Sequence, residues 1–190
     1  MQLTFITGNQ HKADFLAKWL GYPITHHKLD LDELQSLDLH EIVEHKVRQA
    51  YDILKKPVLV EDASLTFLAM GGLPGPFVKW FIQEIGYDGL RKLAHSLPSQ
   101  DARGDVCYGY YDGKTLRTFD GVMHGRIANE PKGTGGFGFD PIFVNKGYDI
   151  TRAEMSEDEY AKTSYRTDAM GKLKDFLATT NPSSRTQSNK

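Results

Sequence analysis

The sequence predicts an α/β fold, and three features carry that expectation. The chain opens as a strand, a loop and a helix; a second helical pattern leads into another apolar strand; and further helices then give way to a hairpin pattern. In order, Leu3–Thr7 is a short buried strand, and Phe15, Leu16, Trp19 and Leu20 fall at helical spacing over Lys12–Leu20. Residues Ile24–Leu31 read as extended. Asp38, with Glu41 three residues on, has the form of a capping box for a helix through Lys55. Pro57–Asp62 is the next strand. Pro76 sits where proline suits the first turn of a helix running to about Ile85, and Tyr87–Ser96 forms another. Ala102–Arg126 alternates around Asp112-Gly113, which predicts a hairpin with a two-residue turn. A closing helix spans roughly Ser156–Ala178, and Asn181–Lys190 is a polar, loosely held tail.

Length and charge bound what the chain does. Its 190 residues suffice for one domain with a real core, or one large domain divided into two lobes, but not for two independent domains. Lys and Arg total 23 against 25 Asp and Glu, so no whole-chain field draws it to nucleic acid or anionic lipid. Any basic site is local. The single cysteine, Cys107, excludes an internal disulfide framework and fits a reducing compartment. The N-terminus MQLTFITGN has neither a basic leader nor a long apolar stretch, so the chain reads as soluble and cytoplasmic.

Several motifs carry less than they promise. Gly133-Thr-Gly135-Gly136-Phe-Gly138 matches G-x-G-x-x-G, but Glu130-Pro131 precedes it and Phe139-Asp140-Pro141 follows, where a dinucleotide fingerprint needs a strand and a helix. A glycine loop that brings backbone and Phe137 close to a ligand or neighbour is the better reading. His40-Glu-Ile-Val-Glu-His45 matches neither H-E-x-x-H nor H-x-x-E-H and reads as a solvated helix face. His26-His27 lies on a strand, where adjacent side chains diverge. Cys107 reads as a packing residue.

Two places carry chemistry. Thr7-Gly8-Asn9-Gln-His-Lys12 joins the first strand to the first helix, where free N–H groups favour an anion; a phosphate loop and an ordinary turn with an exposed lysine fit the local pattern equally. Glu61 and Asp62 end an apolar run, a costly place for two charges unless a cation joins them. Hard oxygen donors there suit Mg²⁺ held between carboxylates and substrate phosphates. Together they point to phosphoryl chemistry on a nucleotide.

Thr7-Gly-Asn-x-x-Lys12, Val60-Glu-Asp62, the block Gly71-Gly-Leu-Pro-Gly-Pro-Phe-Val-Lys-Trp-Phe81, Gly125-Arg-Ile127, Gly136-Phe-Gly-Phe-Asp-Pro141, Ala153-Glu-Met155 and Ser164-Tyr-Arg166 resemble the inosine triphosphate pyrophosphatase family in order and spacing. The resemblance spans about residues 2–178. It implies an elongated mixed β-sheet flanked by helices, a single two-lobed domain over residues 1–178 with a central cleft, and residues 179–190 as the tail. It also implies a homodimer that hydrolyses ITP, dITP and XTP to the monophosphate and pyrophosphate with Mg²⁺, or Mn²⁺ in its place. Position by position, Thr7, Gly8, Asn9 and Lys12 resemble the triphosphate loop, and Lys46 and Lys79 further nucleotide contacts. Glu33 and Glu61 fall at the metal, and Asp62 is placed to orient or deprotonate the attacking water, which makes Asp62, Glu61 and Lys12 the catalytic set. Phe137, Gly138, Phe139 and Asp140 resemble the base-binding segment, with Arg166 a donor to a 6-oxo group.

Two positions depart from the family's pattern. Tyr165 stands where the family has a histidine and Tyr160 where it has a lysine, both donors near the base pocket. Hydrolysis of a purine triphosphate is the first reading; a same-fold pyrophosphatase with altered base preference, or a nucleotide-binding protein without turnover, are its alternatives.

Overall fold

The computed structural model describes residues 3–21 and 24–180, so the expected tail from Asn181 lies outside the described residues. Strand β1 (Leu3–Ile6) leads into helix α1 (Gln10–Leu20), then β2 (Ile24–His27) and helix α2 (Leu39–Leu54). Next come β3 (Val58–Phe67), the short β4 (Pro74–Gly75), helix α3 (Val78–His95) and the long pair β5 (Asp101–Tyr111) and β6 (Leu116–Ile127). Strand β7 (Phe143–Asn145) and helices α4 (Glu157–Thr163) and α5 (Tyr165–Thr180) complete the chain. The seven strands form one sheet in the order β2-β1-β3-β5-β6-β7, with β4 paired to β3 off that path. Strand β1 is parallel to β2 and β3, and the remaining pairs are antiparallel, so the fold is the mixed α/β architecture expected.

Helices cover both faces, and β3 shows how. Val58 and Val60 pack with Val43, Val47 and Ala50 of α2 and with Cys107. Leu59, between them, joins the larger core with Phe5, Leu16, Tyr108, Met170 and Leu173 from β1, α1, β5 and α5. Successive β3 residues therefore alternate between an α2 face and an α1/α5 face.

The structure corrects four expectations. Strand β3 does not stop at Asp62: it pairs with β5 from Val58 to Phe67, which puts Glu61 and Asp62 in mid-strand. Only the parallel neighbour stops there, since β1 pairs with β3 no further than Phe5 opposite Leu59. Asp38 caps α2 by accepting from the His40 N–H, while Glu41 accepts the Ser36 hydroxyl, so no capping box forms. The hairpin loop runs from residue 112 to 115, because the Asp112 carboxylate accepts the N–H groups of Lys114 and Thr115 and builds its own turn. The expected single closing helix breaks at Ser164, whose backbone is extended. Asn145 and Arg152 both donate to the Thr163 carbonyl and draw it out of the helical ladder. That break turns Tyr165 and Arg166 inward as the start of α5, where both are buried. Gly86, with φ 66° and ψ −178°, likewise divides α3 into the two helical segments expected.

The start of α5 rests directly on β6 at Gly121, where an added Cβ would collide with the Tyr165 carbonyl. Gly121→Ala is expected to lower stability by about 1–3 kcal/mol through overpacking, read as a lower denaturation midpoint. An unchanged midpoint would show that α5 shifts freely on the sheet.

Candidate active site

Alternation along β3 sends two neighbouring carboxylates to opposite faces, and each meets a lysine from the helix lying there. Glu61 points to the α1/α5 side, where its side chain is only 2% exposed. Its Oε1 accepts from Lys12 Nζ at 2.9 Å and Arg166 Nη2 at 2.9 Å, and its Oε2 accepts the hydroxyl of Tyr108, its cross-strand partner, at 2.7 Å. Burial alone would raise this carboxyl, but the charges and hydrogen bonds of Arg166 and Lys12 overrule it and hold it far below the usual carboxylate range. Asp62 points to the α2 side and takes Lys46 Nζ at 2.7 Å. Lys46 also stands 3.6 Å from Glu33, and Lys79 3.8 Å from the same Glu33 oxygen. Carboxylates and ammonium groups thus interleave across the end of the parallel strands, where α/β sheets open into ligand crevices.

A cleft of about 820 Å³ opens at this point. Of the expected site residues, Asn9, Lys12, Glu33, Lys46, Asp62, Lys79, Phe137, Gly138, Phe139, Tyr165 and Arg166 line it. Thr7, Gly8, Glu61, Asp140 and Tyr160 do not line it. Thr7 and Asn9 instead shape the loop: the Thr7 hydroxyl accepts the Asn9 N–H, and the Asn9 side chain caps α1 by accepting from the Lys12 N–H. The Lys28 stem packs over Gly8. Arg166 stacks over the Phe137 ring at 4.4 Å and donates to the Tyr165 hydroxyl at 2.8 Å.

Behind Phe137 lies a buried ion pair that sequence reasoning missed. Asp140 takes Arg152 Nε at 3.0 Å on one oxygen, and the Tyr160 hydroxyl and Phe137 N–H at 2.8 Å each on the other. Burial and then the Asp140 charge push the Tyr160 hydroxyl up to about 12, so it stays a donor. Arg152 is fully buried, lies 4.2 Å over the Tyr160 ring, and also holds Asn145 and Thr163. Gly136, at φ 69°, allows the loop to close on Asp140, because a Cβ there would strike the carboxylate. No local pattern marks Arg152 as a core residue, and Tyr108 is tied to Glu61 only by strand register.

Removing the Glu61 charge leaves Arg166 buried without its counter-ion. Glu61→Gln is expected to cost about 3–5 kcal/mol in chemical denaturation at neutral pH. Because the folded carboxyl titrates below its ordinary 4.5, the wild-type contribution is complete above that pH and is lost as pH falls below it. The variant should therefore lose part of the acid dependence of stability; parallel pH profiles would contradict the pairing.

Comparison with known proteins places the chain among its relatives. The Ham1 family model matches residues 3–176. An inosine triphosphate pyrophosphatase of Schizosaccharomyces pombe is 40% identical over 179 residues, covering 92% of this chain and 94% of the relative. A dITP/XTP pyrophosphatase of Methanopyrus kandleri is 37% identical over 180 residues, covering 93% of this chain and 96% of the relative. The Ham1 protein structure from Coxiella burnetii superposes with a TM-score of 0.83 over 94% of this chain and 98% of its own, at 22% identity, and so shares the fold. On sequence match, coverage and architecture alike, the chain belongs to the Ham1 family.

Proposed function

We propose that this chain is a nucleoside-triphosphate pyrophosphatase hydrolysing ITP, dITP and XTP to the monophosphate and pyrophosphate. The observation that carries the reading is the convergence of Lys12, Lys46 and Lys79 with Asp62 on one cleft. The names of the curated relatives supply the substrate class.

Each cleft lysine already rests on a carboxylate, so substrate binding is an exchange of partners. The triphosphate draws Lys12 from Glu61 and Lys79 from Glu33, and the ammonium groups then offset phosphoryl charge, the main task in such a transfer. Asp62, fixed by Lys46 and by the Ala63 N–H, holds a water against the α-phosphorus. The water oxygen forms the new bond to phosphorus, the bridging α–β bond breaks, pyrophosphate leaves with the electron pair, and the water's proton passes to Asp62. The hard oxygens of Glu33 and Glu61 fit a divalent ion, since each accepts a lysine that lines the cleft, and they would hold Mg²⁺ or Mn²⁺. When bound, that ion neutralises phosphate charge and makes the attacking water more acidic.

An altered base preference has its own observation. The Asp140 oxygens are taken by Arg152, Tyr160 and the Phe137 N–H, so base contact falls to the Phe137–Phe139 segment, Tyr165 and Arg166. The reading includes a cytoplasmic homodimer without nucleic-acid or membrane partners. The homodimer is supported by exposed Leu68, Leu73, Trp80 and Ile85; among the described residues no helix is long and apolar enough to cross a membrane.

Pyrophosphate release from a panel of nucleoside triphosphates with Mg²⁺ is the deciding assay, and ITP or XTP is expected to exceed ATP. Asp62→Asn should lower kcat by about 10²–10⁴ with little change in stability, because the residue is partly exposed. Near-normal turnover would remove Asp62 from the chemistry, and no release from any nucleotide would leave only the binding role. In sedimentation a dimer is expected at micromolar concentration; a monomer there ends that part of the reading.

A further inference from the structure

Helix α2 begins above a row of side chains that three strands present on its face. Asp62 lies opposite Cys107, and Cys107 opposite Asp120, so Asp62, Cys107 and Asp120 run straight across β3, β5 and β6. Over this row His40, on the first turn of α2, brings its Nε2 to 3.2 Å from Asp120 Oδ1. One ligand atom each from His40, Cys107 and Asp120 lies within 4.8 Å of the other two. Among the described residues no other three His, Cys, Asp or Glu side chains meet this closely.

We propose that His40, Cys107 and Asp120 form a second cation site, outside the cleft, for a borderline-soft divalent metal of the zinc type. Bonds of about 2.3 Å to sulfur and about 2.0–2.2 Å to nitrogen and oxygen place tetrahedral ligands roughly 3.3–3.7 Å apart, and the His40–Asp120 separation of 3.2 Å is within about 0.1 Å of that range. One imidazole, one thiolate and one carboxylate select such an ion over Mg²⁺, which prefers oxygen alone. The fourth position is left to water, since His40 and Asp120 are half exposed while the sulfur is buried beneath them. Nearby cations do not compete for the carboxylate. Lys46 is held by Asp62, and Lys172 by Asp168 and the Asp120 main-chain carbonyl.

Burial, reinforced by Asp120, keeps the uncomplexed Cys107 thiol protonated. The sulfur–metal bond therefore forms as the S–H bond breaks, and the proton goes to solvent. The bound ion fastens the first turn of α2 to β5 and β6. That helix carries Lys46, and Asp62 is the neighbour of Cys107 across the β3–β5 pair, so the site sits behind the proposed catalytic carboxylate.

The test is a Co²⁺ titration of the full chain, stripped of metal, free of any affinity tag and kept in excess Mg²⁺. One cobalt per chain is expected, with a thiolate-to-cobalt charge-transfer band that disappears in Cys107→Ser. His40→Ala and Asp120→Asn should each weaken binding at least tenfold, the low end of what losing even an outer partner costs. Zn²⁺ should displace the cobalt and raise the melting temperature of the wild type but not of His40→Ala. Absence of the band in the wild type, or its persistence in Cys107→Ser, overturns the site. Should Cys107→Ser fail to fold, the surface variant His40→Ala decides, and unchanged cobalt affinity there overturns the site equally.

Discussion

Two adjacent carboxylates on one strand face opposite ways, and most of the site follows from satisfying both. Buried Glu61 would cost several kcal/mol without a partner, and partly exposed Asp62 on the other face is oriented by a lysine of its own, so each face of the sheet delivers a cation to the same level of β3. Helix α1 brings Lys12 to Glu61, helix α2 brings Lys46 to Asp62, and α5 adds Arg166 to Glu61. The positions of three helices are thereby fixed relative to one strand, and the cleft lies among them. Strand β1 ends one turn of pleat earlier, which leaves room for a ligand beside the carboxylates instead of another strand.

The two pairs do different work because their environments differ. Glu61 is sealed behind Arg166 and Tyr108, and it meets the cleft only through the side chains of Lys12 and Arg166 that line it. Asp62 lies at the cleft wall and is bound by a single lysine that also approaches Glu33. One carboxylate is thus anchored, while its neighbour is oriented but open to the cleft. Holding the lysines on carboxylates also limits their side-chain freedom, so on the proposed function less entropy would be lost when phosphate replaces the carboxylate.

How much of this was legible in the sequence depends on whether a signal was local. The order of the principal strands and helices, the glycine loop and the residues Lys12, Asp62, Phe137 and Arg166 could be placed because short motifs carry them, and Lys46 only through the family resemblance. The length of β3 could not, because buried Ser64 and Thr66 interrupt its apolar pattern. The break at Ser164 was hidden for the opposite reason: 156–178 has helical spacing, and the competing donors, Asn145 and Arg152, come from elsewhere in the chain. Arg152 itself is a charge where burial is least expected, and only the fold brings Asp140, Tyr160 and Asn145 around it. The same holds for His40, Cys107 and Asp120, which look unrelated until α2 lies over the β5–β6 pair.

Arg166 joins the two ends of the cleft. Its Nε and Nη2 are held by Glu61, its Nη1 by the Tyr165 hydroxyl, and its flat face lies against Phe137. A guanidinium fixed on so many sides is rigid, so the ring stacked on it inherits that rigidity without contact to the carboxylate. Phe137 is also tied from behind, through its N–H to Asp140 and hence to Arg152 and Tyr160. The aromatic segment 137–139 therefore rests on two buried ion pairs, one shared with Lys12 and one of its own. Disturbing Arg166 would move both ends together, whereas disturbing Arg152 would loosen the aromatic segment and leave Glu61 in place. On the proposed function, base recognition and phosphoryl chemistry would be coupled through one side chain and separable through the other.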